Sequence, residues 1–340
     1  MHAAIQAIEF YLPERTLTTQ ELARDFPDWS VEKIDEKTGV AVRHIAAPGE
    51  CSSDLAVSAA EKLFASKVCD RSEIDFILFC TQSPDYLLPT TACLIQDRLG
   101  LKTSAGALDF NLGCSGFVYG LALAKGLIET GQAGSVLLLT AETYSKFMSP
   151  GDRSVRTIFG DAGAATLLRG VDDIGTEQLG PFLFGTDGSG AENLIVKSGG
   201  QRWPVDQSSS VDQSEQQCLF MNGPEIFAFT LRTVPGVVRQ LLAKAHCEKD
   251  EVDLYVFHQA NRYMLESLRK ASGIKPDKFV NEMSETGNTV SSTIPIALKQ
   301  MEQTGRLRYG ARVMLVGFGV GYSWSGCVLR WTPARRSNGV

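Results

Sequence analysis

EIDFILFC at residues 73–80 and EVDLYVFH at 251–258 both open with an acid, an apolar residue and Asp, then run on as apolar chain. Runs this short and this apolar read as strands buried on both faces of a covered sheet. Each is followed by a loop and an apolar helical stretch, NLGCSGFVYGLALAKGLIETG at 111–131 and ETGNTVSSTIPIALKQMEQTG at 285–305. Both stretches end at Thr-Gly, and a buried strand comes next, SVLLLT at 135–140 and RVMLVG at 312–317. Four matches in register indicate a duplicated unit, two α/β halves packed face to face around one core. Overlaying them sets His258 opposite Cys80 and Asn288 near the place of Cys114. Ligands of α/β folds gather at such strand-to-helix turns, so one site is expected where the halves meet.

Composition bounds the function. The chain has 340 residues, 44% hydrophobic and 21% charged, which is ordinary for a globular protein. A net charge of -6 supplies no basic field, so nucleic acid is not an expected partner. Eight cysteines without a C-x-x-C pair read as reduced thiols of a cytoplasmic protein rather than a disulfide framework. The N-terminus has no basic region followed by a long apolar stretch, so no signal peptide is expected. No uninterrupted apolar run reaches the roughly 18 residues of a membrane span.

Three residues carry chemical potential. Cys114 sits in Gly113-Cys114-Ser115-Gly116 at the head of an apolar helix, where the helix dipole favours thiolate and a lowered pKa is expected. Taken alone, it equally fits a small buried residue at a helix start. His258 directly follows a strand in His258-Gln259-Ala260-Asn261, and read alone fits a satisfied core histidine. Asn288, in Thr286-Gly287-Asn288-Thr289, also fits a cap of the next helix or a left-handed turn.

Together, GCSGF, FHQAN and TGNT resemble the Cys-His-Asn set of the β-ketoacyl-acyl-carrier-protein synthase III family. The resemblance runs through YLPE at 11–14, RHIAAP at 43–48, FGDAGAA at 159–165 and GFGVGYSWSG at 317–326. It implies a five-layered α-β-α-β-α thiolase fold, with one half over 1–172 and the other over 173–340. It also implies an acyl group carried on Cys114, donated by acyl-CoA or acyl-carrier protein. Malonyl-acyl-carrier protein then loses CO2, and the resulting enolate is held by His258 Nε2–H and the Asn288 amide, with no cofactor. A homodimer is expected.

The binding positions depart from the family pattern. Lys33 and Lys37 stand where a Trp and an Arg sandwich the CoA adenine in many members, with Trp29 displaced one helical turn upstream. Arg153 and Asn261 keep CoA-contacting positions, while Pro224 replaces a second Asn. Leu88 stands where acetyl-specific members often have Phe, which implies room for longer or branched acyl groups. Phe318 and Val320, in the oxyanion turn, complete the implied substrate contacts. Arg262, Arg269 and Lys270 are the expected docking face for an acidic carrier protein, and 200–217 reads as a surface loop. A thiolase-fold acyltransferase or ketosynthase of secondary metabolism is the alternative, then a non-catalytic partner subunit, against which the intact trio argues.

Overall fold

The protein is described by a computed structural model covering residues 1–172, 178–205 and 217–334. Thirteen strands are defined in chain order among these residues: β1 His2–Tyr11, β2 Thr16–Thr18, β3 Val42–His44, β4 Phe76–Cys80, β5 Gly106–Phe110, β6 Ser135–Glu142 and β7 Ala162–Val171, then β8 Leu179–Thr186, β9 Leu194–Val196, β10 Leu219–Met221, β11 Leu254–Phe257, β12 Arg312–Gly319 and β13 Ser323–Arg330. The first half forms a sheet in the order β1-β7-β6-β4-β5 and the second a sheet in the order β11-β12-β13-β8. β6 is buried along its whole length and β12 along nearly all of it, as expected of central strands covered on both faces.

The two sheets repeat one pattern. β4 lies parallel to β6, which is antiparallel to β7, itself antiparallel to β1. In the same way β11 lies parallel to β12, which is antiparallel to β13, itself antiparallel to β8. The shared Asp of the two opening motifs does the same work twice. The Asp75 carboxylate accepts from Gly134 N at 2.8 Å and Ser135 N at 3.1 Å, and that of Asp253 accepts from Arg312 N at 2.8 Å. Each Asp thereby pins the start of the neighbouring strand. The paired Thr-Gly stops are equally alike: Thr130 and Thr304 donate back to Gly126 O and Gln300 O, and Gly131 and Gly305 take φ of 74° and 72°.

Five layers result. Helices Gly116–Glu129 and Thr293–Gln303 lie between the sheets and share their largest apolar core with both. Helices Ser52–Ala65 and Thr91–Arg98 cover the outer face of the first sheet. Helices Gly223–Lys244 and Arg262–Ser272 cover that of the second. Gly223–Lys244 has the length and hydropathy of a membrane span, but Val234, Val237, Val238 and Leu241 are buried against the second sheet. Of the surface loop read over 200–217, residues 206–216 lie outside the described residues.

Candidate active site

His258 is the first residue beyond β11, and its N–H donates to Val316 O at 2.8 Å, extending the pairing with β12 by one step. Its ring is enclosed. Nδ1 lies 2.7 Å from Thr293 Oγ1, and Phe318 packs edge-on with ring centres 5.5 Å apart. Burial alone pushes its pKa down to about 3, so the imidazole is neutral near pH 7.

Asn288 is held by the other half of the molecule. Its N–H donates to Ile158 O at 2.9 Å and its carbonyl accepts from Gly160 N at 3.0 Å. Gly287, at φ 68°, makes the approach possible, since a Cβ there would stand 2.8 Å from Ile158 O. The side chain turns back into the site. Oδ1 accepts from Val290 N at 2.9 Å, and Nδ2 lies 3.5 Å from His258 Nε2. Asn288 is therefore neither at the helix cap nor the left-handed residue: Ser292 holds the N-cap position of Thr293–Gln303, without a side-chain cap bond, and Gly287 and Val290 carry the positive φ.

Cys114 stands in the turn before Gly116–Glu129, and that turn is sewn to β13. Ser115 Oγ bonds Ser323 Oγ at 2.6 Å, and Ser325 Oγ donates to Ser115 O at 2.9 Å. The glycines of β12 leave room for it, because a Cβ on Gly319 would stand 3.0 Å from Cys114 Sγ. β12 thus touches both sides of the site, Cys114 through Gly319 and His258 through Val316 and Phe318. The thiol shares a buried apolar cluster with Val290 of the Asn288 loop.

The lowered thiol pKa expected from the helix end is reversed. Burial first, and the nearby Glu142 second, push Cys114 up to about 12. Glu142 is itself fully buried at the end of β6. Its carboxyl accepts from Gln82 N at 3.0 Å, Ser83 Oγ at 3.1 Å and Ser291 Oγ at 2.9 Å, and burial pushes its pKa up to about 8. The sequence reading passed over Glu142 and Thr293; an acid closing an otherwise apolar strand, SVLLLTAE, was the available signal for the first.

A cavity of about 370 Å³ opens in front of this turn, lined by Gln82, Tyr144, Phe147, Leu194, Leu219 and Val320 among others. Larger hollows lie on the surface, such as a groove of about 650 Å³ beside Lys67 and Lys299. Lys299 in that groove is tied to Glu9 and Glu302, each at 2.9 Å, so the smaller apolar cavity is the one suited to a substrate tail. Leu88 does not reach the cavity; it is 82% exposed in the chain.

At the surface, Trp29 gathers three cations: Lys37 Nζ at 4.7 Å, the Arg153 guanidinium at 5.1 Å and Lys33 Nζ at 5.5 Å from the ring centre. Trp29 is not one helical turn along the same helix, because it precedes Ser30, the cap of Val31–Thr38. Asn261 caps Arg262–Ser272 by accepting from Met264 N at 2.8 Å. The expected docking cations are largely neutralised. Arg262 pairs with Asp35 at 3.1 Å, and Glu266 takes Arg269 at 2.6 Å and Lys270 at 3.5 Å.

A buried Cys, His and Asn at the junction of two equivalent α/β halves define a thiolase-fold condensing enzyme. Models of 3-oxoacyl-[acyl-carrier-protein (ACP)] synthase III and of its C-terminal part match residues 108–188 and 242–331. Beta-ketoacyl-[acyl-carrier-protein] synthase III 3 of Streptomyces coelicolor is 38% identical over 320 residues, 94% of each chain. A solved 3-oxoacyl-(acyl-carrier-protein) synthase III superposes with a TM-score of 0.94 at 52% identity, over 97% of this chain and 100% of that one. A 3-oxoacyl-(acyl-carrier protein) synthase from Burkholderia xenovorans LB400 superposes at 0.91 with 37% identity, over 98% and 95%. The chain belongs to the β-ketoacyl-[acyl-carrier-protein] synthase III family and is an acyltransferase of the condensing type.

Proposed function

We propose that Cys114 takes an acyl group from a thioester donor, and that His258 and Asn288 hold the enolate formed when malonyl-carrier protein loses CO2. The acylated sulfur then leaves as that carbanion attacks the acyl carbon, releasing a β-ketoacyl-carrier protein that starts a fatty-acid or related chain. The supporting observation is the convergence of Asn288 Nδ2 and His258 Nε2, 3.5 Å apart, beside a buried thiol. Donor groups aimed at one point in a dry site stabilise developing negative charge. The chemistry draws on the side chains of this chain, its two thioester substrates and a proton from solvent.

The Trp29 cluster supports acyl-CoA as donor, since an aromatic face with cations beside it suits an adenine ring and phosphates. The cavity of about 370 Å³, lined by Leu194, Leu219 and Val320, supports an acyl group larger than acetyl. Carrier docking on Arg262, Arg269 and Lys270 is weakened by their ion pairs, so the cations beside Trp29 are the better candidates.

A second copy of the chain suits the exposed apolar residues Tyr86, Leu87 and Leu88, with Leu108 on the edge strand β5. No disulfide joins the eight cysteines, which suits the cytoplasm.

Intact-mass spectrometry after exposure to a panel of acyl-CoAs tests the reading. One added acyl mass, lost in Cys114→Ala, and CO2 release with malonyl-carrier protein are the expected results. Acylation without CO2 release favours the acyltransferase alternative; no acylation by any donor overturns both.

A further inference from the structure

We infer that Thr293 is a positioning residue that keeps the proton of neutral His258 on Nδ1, so that Nε2 presents its lone pair to relay the Cys114 proton during acyl transfer. The inference rests on the reading of Cys114 as the acylated thiol.

The argument starts from Asn288. Its Oδ1 accepts from Val290 N at 2.9 Å, which turns the amide NH2 toward His258 Nε2 at 3.5 Å. Two N–H groups do not bond each other, so the nitrogen facing that NH2 carries the lone pair. A neutral imidazole with its lone pair on Nε2 has its proton on Nδ1. The other side of the ring agrees. Nδ1 lies 2.7 Å from Thr293 Oγ1, and the Thr293 hydroxyl donates to Val290 O at 3.1 Å. The hydroxyl has one proton, and with that proton on Val290 O the oxygen is an acceptor for Nδ1–H.

The chain Nδ1–H to Oγ1–H to Val290 O runs in one direction, an arrangement in which each bond polarises the next. Val290 therefore anchors both partners of the ring, Asn288 through its N–H and Thr293 through its C=O. It does so at φ 55°, a conformation unusual for a β-branched residue, and fully buried.

The expected Nε2–H donor is thus not preformed and is acquired only as charge develops. In acyl transfer the Cys114 Sγ–H proton passes through Nε2 to the departing donor thiolate, while sulfur bonds the acyl carbon and the donor's carbon–sulfur bond breaks. His258 is neutral again in the acyl-enzyme, as its burial requires. In condensation the bond to the malonyl carboxylate breaks, CO2 departs, and its electron pair forms the enolate. Nε2 takes a proton from water as that charge develops and, with Asn288 Nδ2–H, faces the thioester oxygen. Attack on the acyl carbon breaks the Cys114 thioester, and sulfur takes its proton from Nε2. The net reaction consumes one solvent proton, the one now on Cys114.

The test is nitrogen NMR of the full chain labelled with 15N-histidine, with the His258 signal assigned by its loss in His258→Asn. The expected wild-type pattern is neutral Nδ1–H. Thr293→Val should move the signal toward the Nε2–H form and slow Cys114 acylation about 100-fold, the scale of a misplaced general base. Thr293→Ser should restore both. A wild-type Nε2–H pattern overturns the inference, as does a folded Thr293→Val that keeps both tautomer and acylation rate. An Nδ1–H pattern in protein that accepts no acyl group upholds the tautomer and overturns the functional reading alone.

Discussion

Gly319 and Cys114 are in contact across the two halves, with space for no atom between them: a methyl group on Gly319 would stand 3.0 Å from Sγ. Gly319→Ala should therefore press on the nucleophile itself. Overpacking of this kind costs about 1–3 kcal/mol, so a lowered Tm is expected. Acylation of Cys114, followed by intact mass, should fall at least tenfold on the scale of a misplaced reacting group, roughly 100-fold for about 1 Å. Unchanged acylation would show that the contact is only packing.

Glu142 gives two linked predictions. Its charge helps to raise the Cys114 pKa, so Glu142→Gln should move the alkylation profile of that thiol to lower pH. Stability follows the opposite side of the same burial. The folded-state pKa of Glu142 is raised from 4.5 to about 8, so the folded chain retains a proton that the unfolded chain loses. The stabilising contribution of that retained proton is complete below pH 4.5 and is lost as pH rises through about 8. Urea unfolding of wild type and Glu142→Gln across this range should show wild type losing ground to the variant as pH rises. The variant cancels the contribution of His258, which both proteins share.

Asn288 should separate the two half-reactions. Removing one oxyanion donor typically costs about 10²–10³ in rate. Asn288→Ala should accumulate the acyl-enzyme and slow CO2 release from malonyl-carrier protein by that factor. Equal loss of both steps would mean that the residue shapes the site rather than holding the enolate.

Trp29 should matter only to a donor that carries a nucleotide. With three cations against its ring, Trp29→Ala should raise KM for acyl-CoA roughly tenfold, the scale of a partly desolvated cation–π contact. KM for the matching acyl-pantetheine, which lacks the nucleotide, should not move. Equal shifts for both would remove the nucleotide role.

What the sequence made legible was whatever repeats or interrupts a pattern. Asp75 and Asp253 were visible because both halves need the same carboxylate at the same strand end. Cys114, His258 and Asn288 were visible because each follows or precedes an apolar run. The direction of the Cys114 shift was not, since the dipole is local to the helix while burial depends on the whole fold. The pairing of Arg262 was not legible for a similar reason: its partner Asp35 is remote in the chain and adjacent only in space. Thr293 lay within a run of small hydroxyl residues, where nothing in the sequence singles out the one beside a histidine ring.

The backbone of Asn288 is held by Ile158 and Gly160, and the Cys114 turn by Ser323 and Ser325. Each half thus finishes the other's functional loop. A chain with two well-formed sheets that have not yet docked has an ordinary exposed thiol and no enolate site. During refolding, concealment of that thiol and the onset of turnover should appear together, timed by the meeting of the halves rather than by the formation of either one.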